Sequence, residues 1–213
     1  MAFDWQLPPY SALCTLEWER AGTVGKAVGW LHSSTRLVTA GHVIADIGNS
    51  TPTIKSAFGN VQCGTLHDTH YVASADPPAG PSDYGVIEVS NTPTGCTFLS
   101  LVVPSKTYAG PCYLLAYDFT QQAVVFNDGE IALLSDVRFL HTADGSPSYS
   151  GGAIIIKTQP VGVAAIGIYT DDSRSYALLQ SDPGGGLAPR GPQYGVATSL
   201  VPAVQSQIDG ASA

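Results

Sequence analysis

Short apolar runs, each closed off by Gly, Pro, Asn, Asp or Ser, recur along the whole chain. Runs of this length suit strands better than helices, and such regular turn punctuation is the pattern of an all-β sandwich or barrel. A first set reads as strands at Ser11–Glu19, Gly25–His32, Arg36–Thr39, Thr53–Phe58, Val61–Leu66 and Asp83–Val89. A second set reads as Cys112–Tyr117, Gln122–Phe126, Gly129–Leu134, Val137–His141, Ala153–Lys157, Val161–Tyr169, Ser175–Leu179 and Tyr194–Thr198. Between them Ser90–Thr107, with Pro93 and Pro104, reads as a connection. Helix is expected at two places only, the turn after Thr39 (AGHVIAD) and the terminal Leu200–Ile208. The segment Asp182–Gln193 holds too many Gly and Pro for a strand and reads as a surface loop. Residues 1–100 and 101–213 are thus expected to form two small barrels packed together.

Composition narrows the function classes. Only 12% of the 213 residues are charged and 44% are hydrophobic. An intrinsically disordered chain would show the reverse balance. With 23 Gly and 15 Pro, a long helix or coiled coil is excluded as well. The net charge of −8 would repel a nucleic-acid partner. The N-terminus lacks a basic segment followed by an apolar one, so no secretion signal is read and an intracellular location is expected. No apolar run reaches the roughly 18 residues of a membrane span. Cys14, Cys63, Cys96 and Cys112 form no CxxC pair, which argues against a zinc or redox motif and favours free thiols. Gly184–Gly186 follows no strand–helix context that would cradle phosphate. No metal and no cofactor are expected.

Three local contexts carry chemistry. Serine catalysis needs a base for the hydroxyl proton, a carboxylate to orient that base, and backbone N–H groups for the oxyanion. Ser148-Tyr149-Ser150-Gly151-Gly152 places a serine before two glycines, where backbone and substrate can approach closely. Thr39-Ala40-Gly41-His42-Val43 places a histidine at a strand end entering a helical turn. Ser82-Asp83-Tyr84-Gly85-Val86 places a carboxylate at the head of an apolar strand. Asp68 and Asp76 lack that following strand, and His32, His67, His70 and His141 lack the context of His42.

The order His42, Asp83, Ser150, with separations of 41 and 67 residues, resembles that of trypsin/chymotrypsin-like double-barrel proteases. The TAxH, Dxx-apolar-strand and GxSGG motifs of that family correspond to Thr39–His42, Asp83–Val86 and Ser148–Gly152. Ala165–Tyr169 resembles the strand walling the primary specificity pocket, and Tyr194–Thr198 with the terminal helix resembles the family's closing elements. The resemblance implies two packed six-stranded antiparallel β-barrels with a short C-terminal helix, the first carrying His42 and Asp83 and the second Ser150. It implies a serine endopeptidase working through an acyl-enzyme: Ser150 the nucleophile, His42 the general base, Asp83 its orienting partner, and the N–H groups of Ser148 and Ser150 the oxyanion hole. A polypeptide is the implied substrate.

Departures from the family pattern qualify the resemblance. Ser148 stands where the family has Gly, which implies strain if that position needs a positive φ. Tyr149 stands where zymogen-type members carry Asp, so activation through that ion pair is not expected. The missing disulfides and missing secretion signal resemble viral 3C-like proteases, which process their own polyprotein. Tyr169 stands where many of those carry a pocket histidine, whereas Asp144, six residues before Ser150, matches the pocket-floor carboxylate of basic-residue-specific members. Gly195 fits the small pocket-wall residue. A protease-like double barrel that binds a partner without turnover is the alternative.

Overall fold

The computed structural model describes residues 3–68, 83–103, 108–134, 138–158, 162–171, 179–181, 187–189, 195–199 and 202–209. Six strands build the first barrel: β1 (Leu13–Arg20), β2 (Thr23–Ser33), β3 (Arg36–Thr39), β4 (Thr53–Ser56), β5 (Gly59–Asp68) and β6 (Gly85–Ser90). They pair antiparallel in the order β1-β2-β3-β6-β5-β4, and β4 returns to β1 to close the ring. Alternation is visible where a strand meets water: in β1, Leu16 and Trp18 are buried while Glu17 is half-buried and Glu19 exposed. Helix α1 (Gly41–Ile47) follows β3 and buries Val43, Ile44 and Ile47 against the barrel.

The second half contains β7 (Ser100–Leu101), β8 (Pro111–Asp118), β9 (Ala123–Leu134), β10 (Arg138–His141), β11 (Ala153–Thr158), β12 (Gly162–Asp171), β13 (Leu179–Ser181), β14 (Leu187–Pro189) and β15 (Gly195–Ser199). The sheet order is β11-β8-β9-β10-β15-β12-β7, and β11 also pairs with β12, so the six antiparallel strands return on themselves. Strand β7 joins β12 in parallel. Helix α2 (Pro202–Asp209) ends the described chain.

Two expectations are corrected. Gln122–Phe126 and Gly129–Leu134 are not separate strands, because β9 runs unbroken through Asn127-Asp128-Gly129. Its register with β8 is continuous from Asp118↔Ala123 to Pro111↔Glu130, so ladder pairing overrides the local turn signal. Gly129 serves another purpose: a Cβ there would overlap the backbone of Ala143. The loop expected at Asp182–Gln193 contains β14, which pairs with β13; its Pro189 sits at the end of that two-stranded ribbon, where a missing N–H is tolerated. Of the strand expected at Ser175–Leu179, residues 175–178 lie outside the described ones.

Strands β8, β11 and β12 of the second barrel bury apolar residues on both faces. Cys112, Leu114 and Ala116 of β8 point into its own core, with Ile154 of β11 and Ile166 and Tyr169 of β12. Leu115, Ala153, Ile155 and Ala165 instead join the core of the first barrel. The chain ends cross over too. Phe3 bridges Val124 of β9, while Val204 and Ile208 of α2 are buried in the first barrel's core.

Candidate active site

The site is assembled from strand ends. His42 enters the first turn of α1 just after β3, Asp83 precedes β6, and β3 pairs with β6 up to Thr39↔Gly85. That pairing brings the two segments side by side. The ring Nδ1 of His42 lies 2.8 Å from Asp83 Oδ2, and the main-chain N–H of His42 donates to Asp83 Oδ1, also at 2.8 Å. Both carboxylate oxygens are therefore committed to His42. The imidazole is fixed with Nδ1–H toward the carboxylate, which leaves Nε2 as the basic nitrogen. Gly41 makes the approach possible, since a Cβ there would stand 3.0 Å from Asp83 Oδ1 and 2.9 Å from Tyr84 O.

Asp83 is only 4% exposed and is held from behind by the second barrel. Its N–H donates to Thr198 Oγ1 at 2.9 Å, and the Thr198 hydroxyl donates to its carbonyl at 3.0 Å. Sequence reasoning missed Thr198; a threonine inside an otherwise apolar closing strand was the only available signal.

Ser150 follows a 3-10 turn (Pro147–Tyr149) that leads into β11. Its carbonyl accepts from Val28 N–H of β2 at 3.0 Å. The carbonyl of Val28 in turn accepts from the Thr39 hydroxyl at 2.8 Å, and Thr39 lies three residues before His42. Gly151 sits over this junction with φ +88°, and a Cβ there would overlap both Val28 O and Thr39 Oγ1. The left-handed conformation of the turn thus falls on Gly151. Ser148 lies within the 3-10 turn and is absent from the positive-φ residues, so the strain expected there is not found.

The expected specificity residues are placed as follows. Asp144 is exposed, and its carbonyl is held by the Asn127 amide at 2.7 Å. Gly195 opens β15 directly opposite His141. Tyr169 is fully buried, its hydroxyl end lies against Gly145, and its ring tilts against His141 at 5.6 Å between centroids. It backs the loop that carries Asp144. Burial pushes His141 down to about 4, opposed by a hydrogen bond to the Ala143 backbone, so its ring is neutral at physiological pH. Of the other histidines, His32 bonds Asp209 and Leu99 O and His67 bonds Glu88, while His70 lies outside the described residues.

Two of the four cysteines are poor nucleophiles. All four thiols are free, and burial raises Cys14 and pushes Cys112 up to about 12, which suppresses the reactive thiolate. Among the described residues no group of three or more His, Cys, Asp or Glu could hold a metal ion. Among them, too, no helix is long and apolar enough to cross a membrane.

No curated protein sequence matches the chain. A solved structure titled "Structure of Glu endopeptidase in complex with MPD" superposes with a TM-score of 0.68 over 97% of this chain and 93% of the other, at 14% identity. That likeness shows a shared double-barrel fold. The family model of the trypsin-like peptidase domain matches residues 27–163, a span that contains His42, Asp83 and Ser150. That span is more than half of the chain, which therefore belongs to the trypsin-like peptidase family.

Proposed function

We propose that the protein is a serine endopeptidase in which the Ser150 hydroxyl attacks the scissile carbonyl. His42 Nε2 takes the hydroxyl proton and returns it to the leaving amine. Asp83 holds the imidazole in the required tautomer and stabilises the imidazolium that forms. The N–H groups of Ser148 and Ser150 receive the oxyanion, and water then hydrolyses the acyl-enzyme. The observation that carries this reading is the double hydrogen bond of one buried carboxylate to both the ring and the main chain of His42. A structural ion pair would not need to fix the ring in this way.

Side-chain selection on the acyl side belongs to the loop carrying Asp144 and Gly145, backed by Tyr169 and His141, with Gly195 at the wall. Free thiols suit a reducing compartment, and the disulfide-free frame supports a viral polyprotein-processing protease whose substrates include its own polyprotein.

A fluorophosphonate probe should label the folded protein at Ser150, and Ser150→Ala or His42→Ala should abolish labelling. Folded protein that binds peptides yet neither labels nor cleaves them would overturn this in favour of a silent binding module. A peptide library with sequenced products reads the specificity: cleavage after Arg or Lys, lost in Asp144→Asn, assigns that role to Asp144.

A further inference from the structure

We propose that Asp118 is a positioning residue of this peptidase site, acting through Tyr149 to hold the main chain that presents Ser150. The proposal rests on the serine-peptidase reading above. Tyr149 lies between Ser148 and Ser150: the peptide plane after it carries the Ser150 N–H, while the Ser148 N–H lies in the plane before Ser148. Fixing Tyr149 therefore sets the Ser150 donor directly and the Ser148 donor through the Ser148 backbone. Its main chain is fastened at both ends. The Tyr149 N–H donates to Ser146 O and its carbonyl accepts from Gly152 N–H, each at 2.8 Å.

The side chain adds a third fixing point from outside the turn. The Tyr149 hydroxyl donates to Asp118 Oδ2 at 3.0 Å. Tyr149 is 8% exposed and packs in the second barrel's core, so its side chain spans from the nucleophile turn to the β8–β9 hairpin. Asp118 ends β8, and its other oxygen, Oδ1, accepts the N–H groups of Thr120 at 2.7 Å and Gln121 at 2.9 Å. The carboxylate is thus oriented by its own hairpin before Tyr149 reaches it. Those backbone bonds, with the bond from Tyr149, hold Asp118 below the usual carboxylate range. Burial, and then the bond to Asp118, push the Tyr149 phenol up to about 12. Donor and acceptor keep their roles throughout the neutral range. Phenylalanine would fill the same core volume; only the hydroxyl makes the tether.

The test compares full-length wild type with Tyr149→Phe, Asp118→Ala and the double variant. Labelling rate at Ser150, kcat and KM on a cleaved peptide, and thermal melting are measured for each. Either single change should lower kcat and labelling rate by roughly tenfold or more, as expected for losing a charge-assisted hydrogen bond that holds the reacting geometry. KM should stay within about twofold, and the double variant should be no slower than the worse single, because both remove one interaction. Unchanged kcat in folded Tyr149→Phe overturns the proposal. So do strictly additive losses, or a lowered melting point with kcat intact, which would mark a packing role alone. Folded wild type that fails to label strikes the peptidase reading instead, before any variant is compared.

Discussion

Thr198 and His141 show how single buried side chains around the candidate site constrain it. Thr198 is fully buried and returns both a donor and an acceptor to the backbone of Asp83. Thr198→Val keeps the shape and strands two buried polar groups, each costing about 1–3 kcal/mol. Urea unfolding should therefore show a loss of about 2–6 kcal/mol, accompanied by slower labelling at Ser150 as Asp83 shifts. His141 acts through protonation. Its pKa falls from an ordinary 6.5 to about 4 on folding, so between those values the unfolded chain binds the extra proton. Stability is full above pH 6.5, declines as pH falls through that window, and levels off below about 4. The contribution is about 3 kcal/mol. Melting temperature followed from pH 7 to pH 4 should show this slope, and His141→Phe should flatten it. His42, Asp83 and Ser150 were legible as residues because each sits in a local motif. Thr198 was not, since its partner is 115 residues away and no short-range pattern records the pairing.

Helix α1 illustrates the same point for an element. Its N-cap, Ala40, offers no side-chain acceptor, so the first-turn N–H groups lack the usual local partner. Asp83 supplies it through Oδ1 from the segment just before β6, and so caps the helix as well as orienting the imidazole. Two substitutions separate these duties. Asp83→Asn retains an acceptor for the cap and should melt close to wild type, while labelling falls by roughly 10³–10⁴-fold through the wrong imidazole tautomer. Asp83→Ala should lose the same activity and a further ~1 kcal/mol or so of stability. Strand existence was largely readable from apolar runs and turn residues, and both helices fell where they were expected. The failures were where tertiary pairing overrode local chemistry. In β9 the Asn127-Asp128-Gly129 triplet, read as a turn, stays extended because β8 pairs along its full length and Gly129 must let Ala143 approach.

At the level of the whole molecule, the scarcity of charge has a structural cause. Strands β8, β11 and β12 bury one face in the second barrel and the other against the first, leaving little surface for charged side chains. The same arrangement puts His42, Asp83 and Ser150 on the seam. Val28 bonds Ser150 across it, and Thr198 bonds Asp83. Composition hinted at a compact β-protein but not at this two-sided burial, because periodicity alone does not tell a doubly buried strand from a singly buried one. Unfolding should accordingly be a single cooperative transition by near- and far-ultraviolet circular dichroism; two resolved transitions would show that the barrels are separable.

The crossed chain ends make each half incomplete without the other. Helix α2 fills the first barrel with Val204 and Ile208, and His32 and Arg36 grip its end through Asp209 and the Ile208 carbonyl. Phe3 and Tyr10 meanwhile cluster with Phe126, and Trp5 packs on Tyr117. Such a molecule is a natural two-piece lock. Cut in the connection between the halves, the fragment with His42 and Asp83 and the fragment with Ser150 would each expose an unfilled apolar seat that only the other can occupy. Mixing them should restore Ser150 labelling that neither piece shows alone, which would turn the protease into a reporter of the encounter between any two proteins fused to its parts.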